Sequence, residues 1–339
     1  MRLACATLIV VLLPFASAQA QNKKLRIFRG SVAFKRVEMK LNFDGANLSG
    51  TYLYSSVGKD LTLRGKIDKG QITLQEFDAT GKQIGKFVCK LIEASDENPL
   101  TRIEGKWSRA DGTSETEVYL SEQNIEFTNG WQIVTKVEKM PRIKLTFYYP
   151  QIVGNSPAIV GFNRRVAAIV AKAVKDFKDG EPNAERCYFD ADYNVLLATN
   201  DTISIHIDAA TYFGGPYPNS DHYTVNYDLR EGHEMPLASL FKPGSNYKQK
   251  LFRLAIQSAT RELNRIQKRD GRESDPPPEE LTSDWDTYID WNTWGITSRG
   301  LFVYFSLPHV IEALEENFIP YNALNDILNP NGQAARLRK

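Results

Sequence analysis

Two pairs of residues carry the chemistry on offer. His206 and Asp208 stand two apart in a run that alternates like a strand, so they share a face. Asp221 and His222 follow one turn later. Two imidazoles and two carboxylates are a donor set for a divalent metal, with His206, Asp208 and His222 as the candidates, or for acid–base work. The spacing is generic, however, and histidine beside aspartate is commonly an ordinary hydrogen-bonded pair. From the sequence alone no metal and no cofactor is therefore assigned. The motifs that mark common enzymes are missing. There is no G-x-S-x-G elbow, phosphate-binding P-loop, G-x-G-x-x-G after a strand, H-E-x-x-H or C-x-x-C. The chain reads as a binding protein rather than an enzyme. The alternative is a hydrolase with its site around His206, Asp208 and His222.

The binding reading uses the aromatic residues beside these pairs. Tyr212, Phe213, Tyr217, His222 and Tyr223 lie in a stretch punctuated by Gly214, Gly215, Pro216 and Pro218. Those four residues oppose regular pairing, so an irregular surface loop from Tyr212 to Tyr223 is expected. Rigid aromatics on a stiff loop supply contact area at low entropic cost. Trp285, Trp291 and Trp294 either cover this patch or extend it, and Trp291 and Trp294 join the binding candidates.

The elements that must position these residues are legible. Strands are predicted over Tyr188–Ala198 and Thr202–Tyr212, joined by a turn at Asn200-Asp201. In the next strand Tyr223, Val225 and Tyr227 share one face, and Thr224, Asn226 and Asp228 the other. Upstream, Lys144 to Pro150 is a strand. A helix then begins with Ser156 as cap and Pro157 in first position. Ile159, Phe162, Val166, Ile169, Ala173 and Phe177 recur at helical steps until Gly180. A second amphipathic helix is predicted from Ser245 to about Gln267, and a strand over Gly300–Phe305. Between them, 268–284 is a polar, proline-bearing insertion of the composition that stays mobile.

The first half is of another kind. An apolar residue, a glycine, a polar residue and a large apolar residue recur at Leu48–Tyr52, Leu63–Ile67, Ile84–Phe87 and Ile103–Trp107. Turn signals such as Asp44-Gly45 and Asp111-Gly112 separate them. Glycine recurring within strands implies coiling or close backbone approach. The fold expected for 25–122 is an all-β meander or small curled barrel with a lipocalin-like look, filled by its own side chains. Residues 123–142 read as a link. Residues 143–330 read as an α+β domain with helices packed on an antiparallel sheet.

Residues 1–20 have the three parts of a secretory signal: Arg2, an apolar run from Leu3 to Phe15, and Ala18-Gln19-Ala20 for cleavage. No later stretch is apolar enough to span a membrane. The expected address is periplasmic or extracellular. Loss of Arg2 takes the formal net charge from +1 to 0, which argues against nucleic acid as a partner. Cys89 and Cys187 survive processing, and two cysteines in different domains make no disulfide framework.

His222, the Asn226-Tyr227-Asp228-Leu229…Gly232 turn, Leu237…Leu240-Phe241, Gly300-Leu301-x-Val303-x-Phe305 and Ile319-Pro320-Tyr321 form a pattern. It resembles a bacterial domain best known from RsiV-type anti-sigma factors and from PdaC-type peptidoglycan deacetylases. The likeness covers roughly Ile143 to Leu328. It implies an envelope binding or sensing role, with a lysozyme-like protein or a cell-wall glycan as partner. It brings no catalytic residues, and the metal motifs of the deacetylases are absent. Where the family carries a glycine-bearing loop before its final strand, this chain has Glu312-Ala313-Leu314-Glu315-Glu316-Asn317.

Overall fold

The computed structural model describes residues 24–33, 35–54, 60–96, 99–183, 185–271 and 288–337. The signal-like start, Trp285 and most of the 268–284 insertion lie outside the described residues. No helix among the described residues is long and apolar enough to cross a membrane.

Eight strands, β1 (Lys24–Val32), β2 (Lys35–Asp44), β3 (Asn47–Tyr54), β4 (Asp60–Asp68), β5 (Gln71–Phe77), β6 (Gln83–Ile92), β7 (Arg102–Arg109) and β8 (Thr116–Glu122), close into an antiparallel barrel. Closure comes from β1 pairing with β8. The alternation of each strand sends Phe28, Met39, Leu41, Leu63, Ile72, Leu74 and Phe87 inward, so the interior is filled with side chains. The recurrent glycines make that packing fit. A Cβ on Gly50 would stand 1.9 Å from the Lys40 carbonyl oxygen, and one on Gly65 1.9 Å from that of Thr73. Close backbone approach accounts for Gly50, Gly65 and Gly105, whereas at Gly85 the Glu76 and Trp107 side chains occupy the space.

One acid sits in this interior. Glu76 is 1% exposed and accepts hydrogen bonds from the Tyr52 hydroxyl at 2.9 Å and the Trp107 indole at 2.6 Å. Burial pushes its carboxyl above the ordinary 4.5, against the pull of those two bonds. Between the ordinary value and the raised one, the folded state therefore holds a proton that the unfolded state has released. Stability should fall as pH rises from about 4.5 through the raised folded value, and level off above it. In urea titrations across pH, Glu76→Gln is expected to lose this slope while matching the wild-type slope below pH ~4. An unchanged profile in the variant would refute the assignment.

The second body contains two sheets. In the larger, six strands run in the order β14 (His233–Glu234), β13 (Asn219–Asp228), β12 (Thr202–Tyr212), β11 (Tyr188–Ala198), β10 (Leu145–Val153), β9 (Gln132–Met140). Contrary to expectation, it is not wholly antiparallel: β10 and β11 pair in parallel over Leu145–Phe147 and Phe189–Ala191. The crossover between them is α1 (Pro157–Asp179), capped by Ser156 and burying the helical stripe anticipated above. A right-sized helix between two parallel strands is what such a crossover requires. Residues 123–142, read as a link, carry the edge strand β9 and bond into β11 through Asn124.

The smaller sheet is β15 (Ile289–Ile296), β16 (Gly300–Phe305) and β17 (Glu316–Pro320), in that order. Helix α2 (Tyr247–Arg269) lies against β17 and buries Leu251, Ala255 and Ala259 in the same core. The short α3 (Gln333–Leu337) ends the described chain. Cys89 and Cys187 are separate buried thiols, and burial pushes the Cys89 thiol up to about 12.

The larger sheet is covered on both faces. Ile203, Ile205, Ile207, Val225 and Tyr227 face α1. The opposite face reads as solvent-exposed by its polar alternation, yet Ser204, His206 and Asn226 are buried. The smaller sheet lies over them. Ser204 donates to Asn226 at 2.7 Å, Asn226 donates to the Trp294 carbonyl at 2.6 Å, and the Ile296 amide donates to Ser204 at 3.0 Å. Each buried polar group is thus matched.

Candidate functional site

The site grows out of the β12–β13 hairpin. The strands pair in a register that sets Asp208 opposite His222, His206 opposite Thr224 and Ser204 opposite Asn226. Period-two alternation then puts His206, Asp208 and His222 on the face turned toward the smaller sheet. Here the corner Glu315-Glu316 arrives from the other side.

The two imidazoles meet. His206 Nε2 lies 3.0 Å from His222 Nδ1, and His222 Nε2 lies 2.9 Å from a Glu315 carboxylate oxygen. The other oxygen of Glu315 accepts from the Leu307 amide at 2.8 Å, which fixes the carboxylate. The Tyr304 ring stacks on His206 at 4.1 Å between centroids and 15° between planes. Asp208 approaches His222 Nδ1 at 3.9 Å. Sequence reasoning brought His206, Asp208 and His222 together. It missed Glu315, Glu316 and Tyr304, because nothing in their spacing ties a downstream acidic pair to this hairpin.

The electrostatics follow from position. Burial, then the neighbouring His222, holds His206 well below its ordinary value, so it stays neutral. Burial also opposes charge on His222, but the hydrogen bond to Glu315 and the nearby Glu316 and Asp208 outweigh it and raise its pKa. Surrounding protein pushes the carboxyls of Asp208 and Glu316 upward. Both nonetheless present surface to solvent, Asp208 over 62% of its side chain. Both can be reached from outside.

Beside this cluster lies a cavity of about 460 Å³ whose walls include Asp221, Tyr223, Phe213, His309, Glu312 and Glu315. Glu315 belongs to both. Glu312 is bonded to His309 at 2.8 Å, and Asp221 accepts from Thr211 at 3.3 Å. Burial lifts the Asp221 carboxyl above its ordinary range, with the Thr211 bond opposing. Tyr217 stacks on His309 at 4.0 Å and remains 57% exposed, and Phe213 packs on Phe177 while 45% exposed.

The expected binding residues divide. Phe213 and Tyr217 are on the surface beside the cavity, and Tyr223 lines it. His222 and Tyr223 are not on a loop, because β13 already begins at Asn219. The irregular segment is therefore 213–218, shorter than expected: Asn219 pairs with Thr211 as soon as the last proline is passed. Tyr212 ends β12, with its hydroxyl donating to the Gly215 carbonyl at 2.7 Å, and braces the turn. Trp294 is 3% exposed, with its ring packed into the core beneath the smaller sheet. Trp291 lies in a different depression, with Lys248 5.8 Å from its ring.

No family model matches this chain, and no curated protein does. Among solved structures it is similar to a member of the DUF3298 family from Bacteroides fragilis. That match has 16% identity and a TM-score of 0.36, covering 61% of this chain and 96% of the other. A DUF3298 family protein from Pseudomonas aeruginosa is similar at 15% identity and a TM-score of 0.39, over 59% and 94% of the two chains. The structural neighbours are thus bacterial proteins of a family of unknown function.

Proposed function

We propose that this chain is an exported envelope-binding protein that takes a basic group of a protein partner, of a lysozyme-like kind, into the cavity beside β13. The observation that carries this reading is the chemistry of the cavity wall. Asp221, Glu312 and Glu315 give it an acidic excess, and Phe213, Tyr223 and the Tyr217–His309 stack flank it. Acidic, aromatic-rimmed hollows complement lysine and arginine side chains, through charge and through the ring faces. The signal-like start supports export, and the resemblance to the RsiV-type domain supports a lysozyme-like partner. A hydrolytic role has less support. Both ring nitrogens of His222 are engaged, by His206 and Glu315, leaving none to activate a nucleophile.

The test is calorimetric titration of the mature chain with lysozyme and, separately, with peptidoglycan fragments. Tyr217→Ala and Glu312→Gln are each expected to weaken lysozyme binding about 30-fold, which is ~2 kcal/mol. Their melting temperatures should stay near wild type, since Tyr217 is exposed and Glu312 is only partly covered. Binding of the glycan fragments alone would replace the partner. Full-strength lysozyme binding by both variants would remove the site.

A further inference from the structure

We propose that His206, His222 and Glu316 bind a zinc ion, with Asp208 at its open side and Glu315 as a positioning residue. One ligand atom from each of His206, His222 and Glu316 lies within 4.8 Å of the others. The facing nitrogens of the two histidines are 3.0 Å apart. Tetrahedral zinc with Zn–N bonds of roughly 2.0–2.1 Å needs two such nitrogens about 3.3 Å apart. An adjustment of a few tenths of an ångström admits the ion. Two imidazoles and a carboxylate, with no thiolate, are a donor set that suits zinc.

The surroundings are those of a metal site. Glu315 takes the far nitrogen of His222 at 2.9 Å, leaving Nδ1 turned toward His206. A carboxylate on the outer nitrogen of a histidine is the usual way to orient that ligand and raise its basicity. Glu315 is itself held by the Leu307 amide, and Tyr304 holds the His206 ring. Asp208, Glu315 and Glu316 bring three carboxylates around two imidazoles. Arg36, the arginine whose charge acts on Asp208, is already paired with Asp190 and Asp192. A divalent cation would balance this excess. Glu316 and Asp208 also give an ion a way in, while His206 anchors it from below.

The ligands come from β12, β13 and β17, so the ion would pin the smaller sheet to the larger one. This inference is independent of the partner-binding role, since metal alone tests it. The full chain, stripped with chelator and dialysed, is titrated with Zn²⁺ and with Co²⁺. The expected result is one equivalent bound, a higher melting temperature, and the visible absorption of tetrahedral Co²⁺. Glu315→Gln should weaken Zn²⁺ binding about 10–100-fold, and Glu316→Gln at least as much. Glu316 reaches the surface, so its variant should fold, which the metal-free melt verifies. Failure of the wild-type chain to take up either metal would overturn the proposal and leave a hydrogen-bonded histidine relay. So would equal uptake by both variants.

Discussion

Replacing Arg29 with alanine is expected to cost about 3 kcal/mol of folding stability, the lower end for breaking a buried ion pair. Arg29 projects from β1 of the barrel and is 4% exposed. It bonds Glu38 on its own barrel at 3.0 Å, Thr135 of β9 at 2.8 Å and Asp192 of β11 at 2.7 Å. Its guanidinium also lies 4.1 Å from the centre of the Tyr193 ring. Arg36 of β2 reaches the same strand, pairing with Asp190 and with Asp192 at 3.1 Å. The two arginines fasten the barrel to the larger sheet beside its short parallel pairing. Truncating Arg29 takes one partner from Glu38, which keeps Lys40 at 3.1 Å, and one from Thr135, which keeps the Tyr193 hydroxyl at 2.8 Å, and it opens a void against Tyr193. Arg36 still neutralises Asp192, which is why the lower end of the range applies. Urea unfolding followed by fluorescence checks it. A loss below about 1 kcal/mol would mean that this contact is no better than a surface ion pair.

Gly65→Ala is expected to cost about 3 kcal/mol, at the severe end of overpacking. The added carbon would stand 1.9 Å from the Thr73 carbonyl oxygen and 2.8 Å from the Leu74 Cα. Both are backbone atoms of the neighbouring strand, so no side chain can rotate away. Relief requires β4 and β5 to separate, which weakens the ladder between them. Gly81, in a turn where an added methyl would meet nothing within 4 Å, is the wrong control because its φ is +81°. Lys66→Ala, next to Gly65 in the same strand, is the proper one, and should cost under about 0.5 kcal/mol. Equal melting of Gly65→Ala and Lys66→Ala would refute the close-approach account.

These two cases show what was readable in the chain. The glycine recurrence at Gly50 and Gly65 signalled coiling or close approach, because a strand carries glycine's cost where it must bend or where no side chain fits. Ser156-Pro157 and the stripe from Ile159 to Phe177 gave α1, since capping and helical periodicity are local. Strands β11, β12 and β16 were legible from alternation and turn residues. What stayed hidden depends on distant pairing. The polar alternation of Ser204, His206 and Asp208 looks like a solvated face, and only β15–β17 folding over it makes it a buried one. Arg29 and Arg36 look like ordinary barrel-surface charges until β11 supplies Asp190 and Asp192. The candidate site was half legible for the same reason. His206, Asp208 and His222 lie on adjacent strands of one hairpin. Glu315 and Glu316 come from a corner about ninety residues further on, as the separation of 93 between His222 and Glu315 records.

The most direct measurement of the partner-binding account is amide hydrogen exchange on the purified chain, alone and saturated with lysozyme. The account predicts added protection in two segments, 211–223 and 305–316, which line the acidic cavity together with Ala173, Asp176 and Phe177 of α1, with the barrel unchanged. Protection centred on barrel strands within 24–122, or no change anywhere under conditions where lysozyme is present in excess, would contradict it.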